Sequence, residues 1–594
     1  MELEEVYNRE QEKYLESKAE EIETAAEHRK SNIVWGIVNE VSGRKGTDSG
    51  KIKAKNPQER IQKWKDHFQN LLGQSPEAKP AEIKTVFRDV LPINTDDFTL
   101  EELKKCIRSF KNNKASGLDN IPIEVWKTEA LDNQLLEVCN RTLNGDRAEI
   151  WVKSKILPLP KKGDLSVPEN YRGITLTVVA AKIYNKMLLE RIRTSLDPLL
   201  RINQNGFRPG RSTLAQIVTL RRLLEGVRAK QLKAVVTFVD FKKAFDSIHR
   251  EKLMSILRAY GVPEKIVRVV NILYRDTLAQ ILTPDGETDF FKVIAGVLQG
   301  DTLAPFLFII ALDYALREAT DDETTGFMLE ERRSSRKPAT YITDADFADD
   351  LALLSNDMVQ AQTLLTRLEK AAETIGLHIN SKKTEYMLIN QADSGLKSLG
   401  YKQLKKVDDF KYLGSWIANS RKDMDVRIGL AWKSLSKMSK IWKSKIKRDL
   451  KLRFFRSTVE SVLLYGAESW TLTREMECRL DGTYTKMLRA VLGITWEMKV
   501  TNDELYGSLN KLSDVLRVRR LRFIGHMWRR KDELVCKLLM WEPKQGRRKR
   551  GRPAMTYIDQ LMNDTGLEVQ ELQNLMDDRK IWRTIVDDVR ASSK

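Results

Sequence analysis

The sequence predicts an α+β fold with helical regions on both sides. Apolar, β-rich runs alternate with helical stretches between about residues 150 and 415. Within that part, residues 341–356 place two short apolar runs on either side of an acidic turn, which is the pattern of a β-hairpin. From about residue 420 onward the sequence is helical and basic. The expected architecture is therefore a strand-containing centre with helical ends.

Local signals predict the flanking elements. Residues 1 to about 75 show apolar positions at helical spacing, and a linker is expected near residue 80. Thr99 and Glu102 form a capping-box pattern, so we expect a helix to begin there and continue through Phe110. Near the end, residues 569–590 are expected to form one amphipathic helix.

The charge of the chain indicates what kind of partner it binds. Its 594 residues include 102 Lys and Arg against 83 Asp and Glu, a formal net charge of +19. Such an excess favours a polyanion, because each phosphate that is neutralised releases a condensed counterion. A basic surface that serves only solubility is the alternative.

Cysteine usage and hydropathy exclude several classes of protein. The four cysteines lack metal-ligand spacing, which argues against a disulfide framework and against a zinc knuckle. The N-terminus is charged and has no apolar signal-peptide segment, and no apolar run is long enough to cross a membrane. We therefore expect an intracellular protein, in the cytoplasm, the nucleus or both, without a membrane partner.

Two adjacent acids, Asp349 and Asp350, occupy the predicted hairpin turn. They repel one another, and such pairs tend to persist where cations offset the repulsion. Asp240 ends the apolar run AVVTFVD, so it is also expected at a strand end. Three such carboxylates can hold two Mg²⁺ ions about 3.5–4 Å apart, with Mn²⁺ as the alternative metal, whereas a lone Asp-Asp pair can also be a solvated turn. Strand alternation puts Asp344 and Asp346 on the face of Asp350, so periodicity alone does not choose among these acids.

Seven segments follow one another over roughly residues 153–417. They read KILPLPKKGDLSVPENYRGITL, NQNGFRPGRSTLAQ, VVTFVDFKKAFDSI, GVLQGDTLAPFLF, FADDLALL, GLHINSKKTEYM and FKYLGSWI. As an ordered set they resemble the motifs of reverse transcriptases of the non-LTR retrotransposon (LINE) branch. Phe347 stands where many reverse transcriptases have Tyr, and this departure supports that branch. Residues 301–305 follow Gln299 and Gly300. Other branches have different residues at these positions, so this segment narrows the clade to which the resemblance points.

The resemblance implies a right-hand polymerase with fingers, palm and thumb and an antiparallel palm sheet. Residues 1–110 would be a helical connector-like extension, and residues 141–417 would contain the fingers and palm. Residues 418–485 would form a helical thumb, with Trp432 and Trp442 in its core. Residues 486–594 would be a basic C-terminal region.

The resemblance also implies roles for residues of the catalytic centre. Asp240, Asp349 and Asp350 would be the metal ligands, with the backbone carbonyl of Phe241 beside them. Phe245 would be a steric gate that excludes a ribose 2′-OH, and an ordinary core aromatic is the alternative.

Further residues would contact the incoming deoxynucleoside triphosphate. Gln299 and Gly300 would line its pocket, since glycine allows a close backbone approach. Arg172 would meet the triphosphate unless it forms a surface ion pair. Lys383 would be the general acid for the pyrophosphate leaving group, with Lys382 as its competitor and a surface lysine as the alternative.

A third group would contact nucleic acid. Arg208 and Arg211 would meet template phosphates, or else lie in a solvated loop. Tyr412, Leu413 and Gly414 would belong to the primer grip, with a packed strand as the alternative. A basic loop would bind RNA or DNA, act as a nuclear localisation signal, or be a solvated linker. Its residues include Arg547, Arg548, Lys549 and Arg550.

The implied reaction is RNA-templated, and also DNA-templated, DNA synthesis from a primer 3′-OH. The partners would be an RNA template, a DNA primer or nicked target DNA, and deoxynucleoside triphosphates, while protein partners are not predicted. Residues 1–110 resemble no endonuclease, so we expect a polymerase that lacks the N-terminal nuclease of its relatives. The alternatives are a related palm polymerase, such as an intron maturase or an RNA-directed RNA polymerase, and a nucleic-acid-binding remnant without turnover.

Overall fold

The fold was analysed in a computed structural model. It describes residues 2–27, 31–41, 52–74, 81–161, 163–320, 325–548, 551 and 554–592. Over these ranges the chain is a mixture of helices and mainly antiparallel strands, as the sequence predicts. Among the described helices, none combines the length and the apolar character needed to cross a bilayer.

Helices dominate the described residues. In chain order they are α1 (Glu2–Glu27), α2 (Ser31–Val41), α3 (Pro57–Leu72), α4 (Leu100–Arg108), α5 (Ile123–Trp126), α6 (Asp132–Leu143), α7 (Val179–Leu196), α8 (Thr213–Ala229), α9 (Arg250–Ala259), α10 (Glu264–Tyr274), α11 (Ala304–Thr320), α12 (Met358–Thr374), α13 (Ser420–Lys437), α14 (Ser439–Lys443), α15 (Arg448–Phe455), α16 (Ser461–Leu463), α17 (Arg474–Leu492), α18 (Asn502–Tyr506), α19 (Leu512–Trp528), α20 (Leu534–Leu539), α21 (Tyr557–Thr565), α22 (Val569–Asp577) and α23 (Arg579–Ser592).

The strands are short and lie in the middle of the sequence. They are β1 (Lys153–Pro160), β2 (Tyr171–Leu176), β3 (Ala234–Val239), β4 (Thr277–Thr283), β5 (Gly286–Glu287), β6 (Phe291–Val293), β7 (Phe327–Glu330), β8 (Thr340–Ile342), β9 (Asp344–Phe347), β10 (Asp350–Ser355), β11 (Glu385–Ile389), β12 (Lys405–Lys406), β13 (Lys411–Tyr412) and β14 (Ser415–Trp416).

The chain divides into two compact units. We call residues 48–211 and 233–406 the central unit, and residues 1–47, 212–232 and 407–594 the flanking unit. This division differs from the predicted boundaries. The predicted extension 1–110 is split between the units, and the predicted range 141–417 is split as well, because α8 and residues 407–417 belong to the flanking unit.

The main sheet of the central unit has the strand order β12-β11-β3-β10-β9. Its pairs are antiparallel except for β11 with the edge strand β12. Burial of every residue of β3 explains why AVVTFV reads as a continuous apolar run. Helix α12 packs against β3 and β10, and its Leu364, Leu365 and Leu368 are buried in the same core.

A second sheet of the central unit has the order β2-β1-β4-β5, with β6 also paired to β4. Helix α3 packs on β4 and β6, although the sequence suggested that it belongs to an extension. The reason is aromatic packing. Trp64 is completely buried and meets Tyr171 edge to face, with ring centroids 4.8 Å apart, and Phe68 lies in the same core cluster.

The flanking unit is helical and has its own core. Leu15, Ala19 and Ile22 of α1 are buried in one cluster with residues of α13 to α17, and Arg453 of α15 donates to Glu23 at 2.9 Å. Trp442 is buried in this cluster and Trp432 packs against it, as expected for core tryptophans.

Helix α8 joins the flanking unit through its contacts with α20. Arg222 is buried, and its guanidinium donates to the backbone carbonyls of Leu539 and Trp541 at 3.1 and 2.8 Å. Leu539 is the last residue of α20, and Trp541 follows it closely. The last carbonyls of a helix have no hydrogen-bond partners within the helix, so the arginine satisfies them. The arginine therefore fixes residues near the C-terminus to a helix that the sequence assigned elsewhere.

The capping box at Thr99 and Glu102 is confirmed, and α4 begins at Leu100. The prediction of a single helix over residues 569–590 is wrong, because two helices cover this range: α22 ends before Asp578 and α23 begins after it. The Asp578 carboxylate accepts from the N–H groups of Lys580 and Ile581 at 2.7 and 3.1 Å. By accepting from these two N–H groups, the Asp578 side chain caps the start of α23. Its extended backbone ends α22.

We predict that Trp64→Ala loosens α3 from the second sheet. Removing a fully buried tryptophan leaves a cavity and costs about 3–5 kcal/mol. Hydrogen exchange should show lower protection in peptides that cover α3, β4 and β6. Trp496→Ala is the matched control, since Trp496 is 86% exposed. Equal protection in wild type and Trp64→Ala would contradict the packing described above.

Candidate active site

The acidic turn lies at the tip of the hairpin formed by β9 and β10. Phe347 pairs with Asp350, so Ala348 and Asp349 form a two-residue turn between the strands. Ala348 has a left-handed backbone, with φ of +56°. Asp349 is half-buried and Asp350 opens β10 at an exposed position. The predicted hairpin with carboxylates at its tip is confirmed.

The expectation that Asp344 and Asp346 share a face with Asp350 is wrong. Residues that pair directly across antiparallel strands lie on the same face. Asp350 pairs with Phe347 while Asp346 pairs with Leu351, so the turn shifts the alternation by one position. Asp344 and Asp346 therefore lie on the opposite face.

Both of these acids are completely buried and belong to a structural cluster. Arg201 donates to Asp344 at 2.8 Å, and its guanidinium also lies 3.9 Å from Asp346. Burial opposes ionisation of Asp344, but the positive charge of Arg201 holds its pKa below the ordinary value. Burial and the charge of Asp344 raise the pKa of Asp346. Neither acid contributes to the hairpin tip.

Asp240 follows β3 and lies beside the tip. Val239 pairs with Leu351 across the antiparallel strands, so the next positions, Asp240 and Asp350, face each other. Asn380 holds Asp240 in place twice: its N–H donates to the Asp240 carbonyl at 2.7 Å, and its Nδ2 donates to the carboxylate at 3.2 Å. The Lys383 ammonium lies 3.7 Å from the same carboxylate.

The sequence analysis missed Asn380 and Thr384 as parts of this site. The Asp240 N–H donates to the Thr384 hydroxyl at 3.2 Å. Both residues lie close to Lys383 in the segment NSKKTE. In that segment the sequence analysis named only Lys383 and Lys382, as candidate general acids. Lys382, the competing candidate, has an exposed side chain, and its N–H donates to the Asn380 side-chain oxygen at 3.3 Å.

Two of the three carboxylates, Asp349 and Asp350, have raised pKa values. Burial raises the pKa of Asp349, and the negative charge of Asp240 raises it further. Although Asp350 reaches solvent, the surrounding protein and the charges of Asp349 and Asp240 raise its pKa to about 6. The three groups therefore lie close enough for their charges to interact strongly.

The donor chemistry of this cluster suits a divalent metal. Carboxylate oxygens are the ligands that Mg²⁺ and Mn²⁺ prefer, and a cation would relieve the repulsion that raises these pKa values. Over the described ranges, no group of three or more Asp, Glu, His or Cys side chains already has an arrangement that could hold an ion. Asp240, Asp349 and Asp350 are candidate ligands because they carry oxygen donors and because the charge of Asp240 acts on both of the other carboxylates.

Gln299 and Gly300 lie against β2. The Gln299 carbonyl accepts from the Thr175 N–H at 2.5 Å. Gly300 has φ of +115°, and a Cβ there would lie 2.4 Å from the Thr175 carbonyl oxygen, so no larger residue fits without rearrangement. The Gln299 amide donates to the Asp246 carboxylate at 2.9 Å. Asp246, which the sequence analysis did not single out, has its pKa raised to about 6 by burial.

Phe245 is half-buried and has aromatic neighbours on two sides. Its ring stacks on Phe308, with centroids 4.3 Å apart, and meets Phe207 edge to face at 5.8 Å. Phe241 is buried and lies beside Ile379 through an isolated antiparallel bridge. These contacts hold the Phe245 ring firmly, which suits either a gate or a core aromatic.

Arg172 is exposed on β2 and has a cationic neighbour that the sequence analysis missed. Burial lowers the pKa of Lys161, and the nearby positive charge of Arg172 lowers it further. Lys383 and Lys243 add to this effect, whereas Asp246 opposes it. The position of Lys161 in the segment PLPKKGD was the available signal. Clustered cations of this kind attract a phosphate chain.

The guanidinium of Arg208, which is predicted to contact the template, forms hydrogen bonds within the protein. Arg208 is buried, pairs with Asp197 at 2.9 Å, and donates to the backbone carbonyls of Arg201, Gln204 and Asp197. These hydrogen bonds stabilise the conformation of the loop to which Arg208 belongs. Arg211 is half-buried in the same turn, and its N–H donates to the Arg208 carbonyl.

The predicted primer-grip residues form a small hairpin in the flanking unit. Leu413 and Gly414 make the two-residue turn between β13 and β14, both with positive φ. Tyr465 donates its hydroxyl to the Leu413 carbonyl at 2.8 Å, and Arg427 donates to the Gly414 carbonyl. Tyr412 is buried, so it is part of the packed strand.

A buried carboxylate, Asp423, organises the base of that hairpin. It accepts from Arg221 at 3.0 Å, from the Trp416 N–H at 3.0 Å and from the Trp470 indole at 2.9 Å, and also from the Ser415 hydroxyl.

In the basic C-terminal loop, Arg547 and Arg548 are exposed. Lys549 and Arg550 lie outside the described residues.

Comparison with known proteins gives a family match that includes the acidic hairpin and Asp240. Residues 159–417 match the family model described as reverse transcriptase (RNA-dependent DNA polymerase). The chain is 25% identical over 363 residues to the Pol polyprotein of the type-1 retrotransposable element R2 of Nasonia vitripennis, covering 59% of this chain and 33% of that protein. The corresponding R2 protein of Popillia japonica is 25% identical over 389 residues, covering 63% of this chain and 52% of that protein.

A third relative comes from another element. The RNA-directed DNA polymerase from the mobile element jockey of Drosophila funebris is 25% identical over 462 residues, covering 73% of this chain and 48% of that protein. The chain thus spans between a third and about half of the length of these relatives. Residues 159–417 are therefore a reverse transcriptase domain of the kind found in the polymerases of non-LTR retrotransposons such as R2 and jockey.

Proposed function

We propose that this protein is an RNA-directed DNA polymerase that extends a primer 3′-OH by two-metal phosphoryl transfer. The single observation that supports it most is the group of repelling carboxylates, Asp240, Asp349 and Asp350, at the tip of a hairpin within the reverse transcriptase domain. Metal ions bound there would lower the pKa of the primer hydroxyl and neutralise the triphosphate.

The remaining residues of the site would bind the substrate and move protons. The primer 3′-OH loses its proton to solvent, its oxygen forms a bond to the α-phosphorus, and the bond between that phosphorus and pyrophosphate breaks. Arg172 and Lys161 would bind the phosphates, where their mutual repulsion is relieved by the negative ligand. Lys383, whose ammonium is near Asp240, is the proposed proton donor to pyrophosphate.

Phe245 would select deoxyribonucleotides over ribonucleotides. Its ring is held between Phe308 and Phe207, so it cannot easily swing away from a ribose. A rigid ring close to the sugar excludes a 2′-OH by steric conflict. This favours a DNA product over the RNA product of the rival polymerase class.

We assign the parts of a right hand from the two units taken separately. The sheet with β3, β9, β10 and β11 would be the palm, and the sheet with β1, β2 and β4 would belong to the fingers. Helices within residues 418–485 would be the thumb, and the hairpin at Leu413 and Gly414 the primer grip. The substrates would be an RNA template, a DNA primer or nicked target DNA, and deoxynucleoside triphosphates, in the cytoplasm or nucleus.

We predict that Asp349→Ala strongly slows primer extension on poly(rA)–oligo(dT) with Mg²⁺. Loss of a metal ligand removes several kcal/mol of charge stabilisation, which corresponds to a fall of about 100- to 1,000-fold in rate. Incorporation of labelled dTTP measures it. Asp289→Ala is the matched control, because the Asp289 side chain is 91% exposed and the residue is distant in sequence from Asp240, Asp349 and Asp350.

Equal incorporation by wild type and Asp349→Ala would disprove the metal-ligand assignment. Incorporation by neither protein, with RNA binding retained, would instead support the alternative of a nucleic-acid-binding remnant.

We also predict that Phe245→Val increases the use of ribonucleotides. A smaller side chain leaves room for the 2′-OH, and reshaping a pocket by this amount changes discrimination by about tenfold or more. The measurement is the ratio of kcat/KM for dTTP and UTP. Phe290→Val, at an exposed phenylalanine of the same unit, should leave the ratio unchanged. An unchanged ratio in Phe245→Val would make Phe245 a core aromatic only.

A further inference from the structure

We propose that Gln204 is a positioning residue that sets the conformation of the acidic turn for metal binding. This inference rests on the proposed function. Gln204 belongs to the segment NQNGFRPG, which the sequence analysis connected only with template contacts. The structure gives this segment a place beside β9, where it supports the turn from within the central unit.

The segment runs alongside β9 as a short parallel partner. The Asp346 N–H donates to the Asn203 carbonyl at 3.1 Å, and the Asn205 N–H donates to the Asp346 carbonyl at 2.9 Å. Two backbone hydrogen bonds therefore fix the segment in register with the strand that enters the acidic turn. This register determines where the side chain of Gln204 points.

The Gln204 side chain bonds both backbone groups of Ala348. Its Oε1 accepts from the Ala348 N–H at 2.7 Å, and its Nε2 donates to the Ala348 carbonyl at 3.1 Å. The same Oε1 accepts from the Gly206 N–H at 2.7 Å. Gln204 is only 2% exposed, so these bonds form without competition from water.

Ala348 needs such support because its backbone is left-handed. A non-glycine residue in that region is strained by about 1–3 kcal/mol and persists only where its surroundings impose it. Among the uncharged side chains, an amide supplies both a donor and an acceptor in one plane. A carboxylate at position 204 would offer acceptors only and would repel the Ala348 carbonyl.

Gly206 makes this contact possible. A Cβ at Gly206 would lie 2.1 Å from the Ala348 nitrogen, so only glycine allows the two backbones to approach so closely. Gln204 and Gly206 together form what we call the turn cradle. The cradle bonds Ala348, the residue between Phe347 and Asp349.

The consequence concerns metal affinity. Asp349 follows Ala348 directly, so a shift of the turn moves the carboxylates relative to Asp240. A ligand set works only when it is held within about 0.5 Å of its productive geometry. Loss of the cradle should therefore weaken metal binding and lower kcat, while affinity for an RNA–DNA duplex stays the same.

The test compares the full-length wild type with Gln204→Met, which keeps the size of the side chain but loses the amide. Mn²⁺ is titrated while the melting temperature is followed, so binding is read without turnover. We expect the half-saturating Mn²⁺ concentration to rise about tenfold, equivalent to about 1.4 kcal/mol. In steady-state extension, kcat should fall more than the KM for dTTP changes.

Gln280→Met is the matched control. Gln280 is also buried, at 7% exposure, and donates to Glu287 within β4 and β5 of the same unit. It should lose stability without a change in Mn²⁺ response. Gln204→Asn, which keeps the amide on a shorter side chain, replaces the methionine variant if that one does not fold, with the same direction of change.

Three outcomes decide the matter. A higher Mn²⁺ requirement in the Gln204 variants, but not in Gln280→Met, supports the proposal. An active wild type whose Mn²⁺ response is matched by the Gln204 variants, or an identical change in Gln280→Met, overturns this proposal alone. A wild type that neither responds to Mn²⁺ nor extends a primer overturns the proposed function as well.

Discussion

The confinement of three carboxylates, Asp240, Asp349 and Asp350, at the hairpin tip is the constraint on which the rest of the site depends. Burial and like charge raise the pKa values of the last two, so the protein spends stability to keep these groups together. In the proposed function, a bound cation would offset this loss of stability. This relation gives the hairpin tip its proposed chemistry, since a site that is unfavourable when empty is prepared for a divalent metal and a triphosphate.

Neighbouring segments keep the carboxylates in place. Asn380 and Thr384 hold the backbone and carboxylate of Asp240, and Gln204 holds the residue before Asp349. These supports are uncharged, so they fix positions without adding to or cancelling the negative charge. The cations at Arg172, Lys161 and Lys383 supply positive charge, with the Lys383 ammonium 3.7 Å from the Asp240 carboxylate. Position and charge are thus controlled by different residues.

The acidic hairpin and Asp240 could be predicted from sequence because local patterns encode them: adjacent acids between apolar runs, and a buried strand that ends in an acid. Gln204 and Asn380 could not, because their partners, the Ala348 backbone and the Asp240 carboxylate, lie 144 and 140 residues away in sequence. Strand alternation failed at Asp346, since a two-residue turn changes the phase. The positions of α3 and α8 depend on aromatic and arginine contacts between distant segments, which periodicity does not reveal.

The most direct test of the account is where divalent metal binds. Crystals of the protein with an RNA–DNA duplex and a non-hydrolysable deoxynucleotide would be soaked in Mn²⁺, and anomalous scattering would locate the ions. The account predicts two anomalous peaks among the carboxylates of Asp240, Asp349 and Asp350. Peaks elsewhere, or none beside these three residues in a crystal that contains the nucleotide, would contradict it.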